Sequence, residues 1–151
     1  MGYYYLWDNV RVQGGAYGSG FLARMNGDIS CYSYRDPSPE KSVSIYSSIA
    51  DALEKWCEGD ERLENYIIST VAASEPLMSP HVAGAVQDEY IFAGVTFEER
   101  VAERREMLAT TREGLLKLCE NLRELGENGS ICVVSNQENM RALPNLEIRS
   151  M

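Results

Sequence analysis

A chain of 151 residues, 44% hydrophobic and 25% charged, is long enough for one ordinary globular domain with a real core. Its net charge of −9 repels phosphate backbones, which argues against nucleic acid as the main partner and suits either simple solubility or a basic partner. No apolar run approaches the roughly 20 residues of a membrane span, and no basic segment followed by an apolar stretch marks a secretory signal.

Taken in chain order, Tyr3, Leu6, Trp7 and Val10 recur at helical spacing, and Gly14-Gly15 ends the pattern. Met1-Gly2 offers this helix no cap, and so short a helix is marginal unless packed. The expectation is that it continues something upstream. The run NVRVQGGAYGSGF, Asn9 to Phe21, then concentrates glycines at positions 14, 15, 18 and 20. Glycine costs backbone entropy in regular structure, so such a cluster signals a close backbone approach or a turn.

Asn26-Gly27 lies between two strand-like runs, Ala16–Met25 and Asp28–Arg35, and Asn-Gly favours a two-residue hairpin loop. That loop predicts Arg24 opposite Ile29, Leu22 opposite Cys31 and Gly20 opposite Ser33. Alternation then puts Tyr17, Ser19, Phe21, Ala23, Ser30, Tyr32 and Tyr34 on one face. Ala16, Gly18, Gly20, Leu22, Ile29, Cys31 and Ser33 form the other. On this reading the small-residue face lets a helix lie close, and the aromatic face is left for something larger. The alternative is that both faces are core.

From Ser38 to Gly126 the pattern is helical. Ser38-Pro39 supplies an N-cap with proline at the first position. An apolar stripe from Val43 to Cys57 ends at Gly59, and Asp60 opens a second helix carrying Leu63, Tyr66, Ile67 and Val71. Ser79-Pro80 opens a third that stops at Gly94. Thr96 with Glu99, and Thr110 with Glu113, have capping-box spacing. The last long helix carries Leu115, Leu118, Cys119, Leu122 and Leu125 before Gly126. A short apolar strand at Ile131–Val134 and a polar tail complete the chain. The class is α+β: a short antiparallel sheet, made of hairpin 16–35 plus a strand near 131–135, covered by about five helices. The sheet is thin for so much helix, so an edge is available to strands from elsewhere or to a homodimer.

Few residues carry chemistry on their own. The four cysteines, Cys31, Cys57, Cys119 and Cys132, form no C-x-x-C pair and are expected as reduced, buried thiols; Cys31 and Cys132 fall in expected strands that could be neighbours. His81 is the only histidine, too few imidazoles for a self-contained histidine-based zinc site, and its place after Ser79-Pro80 suits a surface or capping role. The G-x-G beside the hairpin has no following helix N-terminus to hold phosphates. Ser19 in YGSGF lacks the strand-to-helix turn of a nucleophile elbow. The mixed-charge run Glu98–Met107 reads as a solvated helix surface.

The segments YYYLWDNVRVQGGAYGSGF, SYRDPSPEKSVSIY and EERVAERREMLATTREGL together resemble the C-terminal domain of presequence-protease-type metallopeptidases, in the pitrilysin/insulinase superfamily of zinc peptidases. The resemblance runs in order over most of Tyr3 to Asn136, and R-x-x-G-G-A-Y-G is its most specific part. It implies a chamber of two halves around an unfolded peptide. The N-terminal half carries H-x-x-E-H with a downstream glutamate and binds zinc; the C-terminal half supplies an arginine and a tyrosine that reach toward the substrate. The matching positions are Arg11 and Tyr17, as auxiliary catalytic residues contacting substrate and transition state. Gly14, Gly15 and Gly18 would permit the tight backbone path between them at the substrate. For Arg11 the bland alternative is a salt bridge at a helix end, and for Tyr17 it is core packing.

H-x-x-E-H is absent from this chain, so the resemblance implies no cofactor here and zinc in the N-terminal half of an intact enzyme. Residues 1–151 would be a single domain or a partial one, the C-terminal portion of a larger metallopeptidase. Its partners would be an unfolded peptide and the zinc-bearing half or subunit, with no nucleic acid and no membrane, in the cytoplasm or an organelle matrix. Two other readings remain open: a stand-alone, non-catalytic peptide-binding or assembly partner of a separate zinc-bearing subunit, and a degenerate structural domain that only dimerises.

Overall fold

The structure, a computed structural model, describes residues 2–24, 26–141, 143, 146 and 147. The chain divides into two compact units, Met1–Gly59 with Leu116–Met151, and Asp60–Leu115. The first unit holds the hairpin and most of the buried residues.

Its N-terminal helix, α1 (Gly2–Leu6), widens into a π-helical stretch at Trp7–Gln13. Leu6 and Val10 are fully buried, and Trp7 is half-buried, so the expected stripe is realised there; the side chain of Tyr3 lies outside the described set. Short helices are stable only when docked, and this one is docked from several sides. Leu6 and Val10 pack with Ala16, Ile49, Ala50, Cys119 and Leu122. The Ser19 hydroxyl donates to the Leu6 carbonyl at 3.1 Å, and the Tyr5 hydroxyl donates to the Ile45 carbonyl at 3.2 Å.

Strands β1 (Gly18–Ala23) and β2 (Ile29–Tyr34) pair antiparallel. The register differs from expectation by one residue: Leu22 opposes Ser30, Gly20 opposes Tyr32 and Phe21 opposes Cys31. The reason lies in the loop. Arg24 N–H donates to the Asp28 carbonyl, leaving three residues between them rather than two, and Gly27 takes a left-handed φ of 87°. Gly27 N–H closes back on the Arg24 carbonyl, and Asn26 Oδ1 accepts from Asp28 N–H. A three-residue loop with a left-handed glycine is the next commonest hairpin solution after the two-residue turn. Met25, expected at the end of the first strand, lies outside the described residues.

A one-residue slip re-sorts the faces. Phe21, Ile29 and Cys31 now share the inner face and pack on the core, while Ser30, Tyr32 and Tyr34 are exposed with Gly18, Gly20 and Leu22 opposite them. The tyrosines of β2 were expected on the face of Phe21; they lie instead over the small residues of β1. A Cβ added at Gly20 would sit 2.7 Å from the Tyr32 ring, so Gly20 makes room for that ring.

The helical region begins at Pro39 as expected. Ser38 holds the N-cap position but makes no side-chain cap bond; its own N–H is taken by Asp36 Oδ1. The single stripe expected up to Gly59 is two helices, α2 (Pro39–Ser47) and α3 (Ile49–Glu58), broken at Ser48. Helix α7 (Arg112–Asn128) runs past Gly126, the expected stop. Gly126 instead marks a close approach, since an added Cβ would lie 3.0–3.1 Å from the backbone of Ser47. Arg123 pairs with Glu54 of α3 in the same unit. A final short helix, α8 (Gln137–Arg141), occupies part of the expected polar tail.

The expected strand at 131–135 is absent. Residues 129–136 carry no regular structure, and the sheet among the described residues has two strands. The apolar, β-branched run is a strand by composition but has no strand beside it to pair with. The α+β class stands, with more and shorter helices than the five expected. All four cysteines are reduced thiols: Cys57 and Cys119 are buried as expected, Cys31 is half-buried, and Cys132 is exposed. Burial pushes the Cys31 thiol up to about 11, so it stays protonated near neutral pH.

The second unit comprises α4 (Leu63–Ser74), α5 (Pro80–Ala93), α6 (Phe97–Leu108) and the first residues of α7. Its punctuation was legible. Ser79 Oγ accepts from Val82 N–H, Gly94 is left-handed with φ 71°, and Thr96 and Glu99 form the full capping box. The next cap falls one residue later than expected, on Thr111, whose hydroxyl accepts from Gly114 N–H. The charged run of α6 is more than a solvated surface: Arg100 stacks over Tyr90 at 4.6 Å, and Arg104 pairs with Glu75. His81 is exposed on the first turn of α5. No helix among the described residues is long and apolar enough to cross a membrane.

Candidate functional site

The candidate residues sit where the N-terminal helix ends and the hairpin begins. The π-helical turn from Trp7 to Gln13 places Arg11 four residues after Trp7, and its guanidinium lies 3.7 Å from the centroid of the indole ring. Single-turn π segments recur at functional sites, because the wider turn re-aims side chains. Stacking uses the flat face of the guanidinium and leaves its in-plane N–H groups available as donors. Among the described residues Arg11 forms no ion pair, so the salt-bridge explanation for it does not hold.

The chain then reverses. Gly15 N–H donates to the Arg11 carbonyl at 2.9 Å, and Ala16 N–H reaches back to the Val10 carbonyl at 3.2 Å. Gly15 has a left-handed φ of 81°, which an L side chain tolerates poorly. A Cβ at Gly14 would stand 2.5 Å from the Val10 carbonyl oxygen. These two glycines permit the reversal. Gly18 differs from them: nothing lies within 4 Å of a Cβ added there, so the backbone path does not require it. Ala16 is buried in the core and anchors the outgoing strand.

Tyr17 emerges 66% exposed, which removes core packing as its explanation. Its ring meets Tyr34 edge-on at 6.0 Å, and the Arg35 guanidinium lies 5.8 Å from Tyr17 and 5.5 Å from Tyr34. Arg35 is the one non-glycine among the described residues with positive φ, at 49°. A residue held in that region costs of order 1–2 kcal/mol and is often found at functional sites. Tyr17 N–H donates to the Tyr34 carbonyl at 3.0 Å, tying the two strand ends together.

The arrangement is thus two arginine–aromatic groups at the two ends of the Gly14-Gly15 reversal. Among the described residues no hydrogen bond or ring contact joins Arg11 to Tyr17; they stand as separate donors on one unit. Trp7, Tyr34 and Arg35 were not singled out in the sequence. The Trp7–Arg11 spacing was visible there, whereas Arg35 depended on the hairpin register. Guanidinium and phenol donors suit peptide carbonyls and developing oxyanions. A metal does not fit: among the described residues no three His, Cys, Asp or Glu side chains come together as a ligand set.

The family model described as the PreP C-terminal domain matches residues 1–137. Protein HypA of Clostridium perfringens is 32% identical over 142 residues, covering 93% of this chain and 14% of the relative. Presequence protease 1, chloroplastic/mitochondrial, of Arabidopsis thaliana is 33% identical over 143 residues, covering 93% of this chain and 13% of the relative. The mitochondrial presequence protease of Saccharomyces cerevisiae is 28% identical over 146 residues, with 94% of this chain and 14% of the relative covered. The chain therefore spans about one seventh of the length of these curated relatives, and it belongs to the family of PreP C-terminal domains.

Proposed function

We propose that residues 1–151 act as the C-terminal, non-zinc-binding portion of a zinc-dependent metalloendopeptidase that degrades unfolded peptides. The family match over residues 1–137 is the observation that carries this reading. Its relatives named as presequence proteases support the peptide substrate, and their mitochondrial or chloroplastic names support an organelle matrix, or the cytoplasm in a bacterium. Zinc and its ligands belong to the N-terminal half, which is the chain's main partner.

This chain's own contribution is electrostatic. Hydrolysis of a peptide bond builds negative charge on the carbonyl oxygen. A donor placed there lowers the barrier only insofar as it binds the transition state better than the ground state. Tyr17, exposed and held edge-on by Tyr34, presents its hydroxyl as such a donor. Arg11, stacked on Trp7 and without an acidic partner among the described residues, offers charged donors to a peptide carbonyl. Gly14 and Gly15 fix the chain reversal that sets the two apart, and Gly18, which that reversal does not require, leaves open space beside Tyr17 for the substrate.

The purified chain alone is expected to hold no stoichiometric zinc and to leave an unfolded peptide uncut, whereas the full product of its source gene cuts the peptide and contains zinc. Cleavage by the 151 residues alone would overturn the assignment. If the chain proves to be encoded alone, tight binding of extended peptides without cleavage would favour the non-catalytic partner reading. Within the intact enzyme, Arg11→Lys keeps the charge but loses the planar fork and its stacking. It should raise KM roughly threefold to fivefold, with kcat changed less; an unchanged KM would remove Arg11 from the substrate site.

A further inference from the structure

Arg35 stands just past the end of β2 in a backbone region that a side chain occupies only at a cost, with φ 49°. Strand alternation shows what that geometry achieves. Successive strand residues point to opposite faces, so an Arg35 that continued β2 would fall on the face of Cys31 and Ser33, away from Tyr34. The left-handed turn breaks the alternation. It brings the guanidinium back beside Tyr34, 5.5 Å from that ring's centroid and 5.8 Å from the centroid of Tyr17. Arg35 forms no ion pair among the described residues, so a salt bridge does not account for the strain.

The same turn holds Tyr17 by its backbone. Tyr17 N–H lies 3.0 Å from the Tyr34 carbonyl and 3.4 Å from the Arg35 carbonyl, and donates to both. Asp36 Oδ1 accepts from Ser38 N–H at 2.9 Å, which fixes the exit from the turn. Pro37 lies beside Gly15, since a Cβ added at Gly15 would stand 3.4 Å from Pro37 Cγ. The turn after β2 therefore meets the reversal from which Tyr17 emerges. The Tyr17 side chain is held by less. It is exposed, and its hydroxyl has no hydrogen-bond partner among the described residues. Two contacts on the ring are left to direct that hydroxyl, the edge-on Tyr34 and the guanidinium of Arg35.

We propose that Arg35 is a positioning residue for Tyr17: its cation, brought beside the aromatic pair by a strained backbone, narrows the rotamers of the Tyr17 ring and keeps the hydroxyl aimed at the substrate. The proposal rests on the reading of Tyr17 as a donor to the developing oxyanion. Two side-chain torsions of an exposed tyrosine are free unless neighbours restrict them. A donor stabilises a transition state most when it is already in place, with no reorganisation left to do. A cation beside an exposed ring is a modest attraction, of the size that biases a rotamer population without deciding the fold. Glycine or asparagine would take this backbone conformation at lower cost. The strain at position 35 therefore serves the arginine side chain rather than the turn.

A double-mutant cycle in the full source-gene product tests this. Arg35→Gly removes the guanidinium and the strain together. It should lower kcat about threefold to fivefold, with KM changed by less than about twofold. In the Tyr17→Phe background the same substitution should change kcat by less than about 1.5-fold, because the hydroxyl it positions is gone. Arg35→Lys keeps a cation beside the rings and should retain at least about half of the original turnover. Thermal unfolding should place Arg35→Gly within about 3 °C of the unaltered protein, since relief of strain offsets the lost contact and the added chain entropy. If the glycine variant does not fold, Arg35→Asn, which tolerates the same backbone region, takes its place in the cycle. Equal losses of kcat with and without the Tyr17 hydroxyl overturn the proposal. So does a loss carried by KM, which makes Arg35 a direct contact of the peptide. Unchanged kcat for Arg35→Gly beside an impaired Tyr17→Phe overturns the positioning role and leaves the larger reading intact. Near-normal turnover of Tyr17→Phe itself overturns the reading on which that role rests.

Discussion

Tyr17→Phe in the intact peptidase is expected to lower turnover by at least about tenfold, equivalent to about 1.4 kcal/mol of barrier, with zinc content and fold unchanged. The substitution removes one hydroxyl and nothing else. The ring's edge-on contact with Tyr34 and its proximity to Arg35 survive, as does the backbone bond from Tyr17 N–H to the Tyr34 carbonyl. Because the side chain is exposed, no buried polar group is left unsatisfied and stability should move little. A loss confined to kcat, with KM nearly constant, marks a bond made chiefly in the transition state. Near-normal turnover would sink the role assigned to Tyr17.

The largest effect on stability is expected at Leu6. Its side chain is fully buried where α1, the π-helical turn and β1 meet, among Val10, Ala16, Ile49 and Leu122. Leu6→Ala removes the transfer free energy of the lost carbons and leaves a cavity the short helix cannot easily close, together about 2–5 kcal/mol. For a chain of this size that is a fall in Tm on the order of 10 °C. Val12→Ala, six residues on and 64% exposed, should stay within about 0.5 kcal/mol. Equal effects at the two positions, read by thermal unfolding, would mean that the helix is not docked on the hairpin as described. The same docking sets the position of Arg11, so Leu6→Ala should also weaken peptide handling in the intact enzyme.

Which parts of this were legible in the sequence follows from how local their causes are. The capping box of Thr96 and Glu99, the serine-proline starts at Pro39 and Pro80 and the left-handed stop at Gly94 depend on a few neighbouring residues, and each appears where expected. The hairpin was local in existence but not in detail. Asn26-Gly27 serves a two-residue or a three-residue loop, and the choice between them moved every tyrosine of β2 relative to β1. Packing decides that choice: the observed register brings Phe21, Ile29 and Cys31 together on the core. Gly126 looked like a helix stop, yet its lack of a side chain serves contact with Ser47, distant in sequence. The strand at 131–134 was read correctly for composition and wrongly for structure, because a strand is a property of two segments.

The site divides the same way. Arg11 and Tyr17 are proposed from their family spacing, and the glycines between them from their density. The π-helical turn that lays Arg11 over Trp7 has no local signature in the sequence, and Arg35 joins Tyr17 and Tyr34 only through the strand pairing.

The account stands or falls on whether Tyr17 faces the bound peptide. The most direct measurement replaces it with p-benzoyl-phenylalanine in the intact protein, inhibits cleavage with a chelator, and irradiates in the presence of an unfolded peptide. The account predicts a covalent adduct between position 17 and the peptide, mapped by mass spectrometry. Bound peptide with no adduct, or adducts only to other parts of the protein, would contradict it.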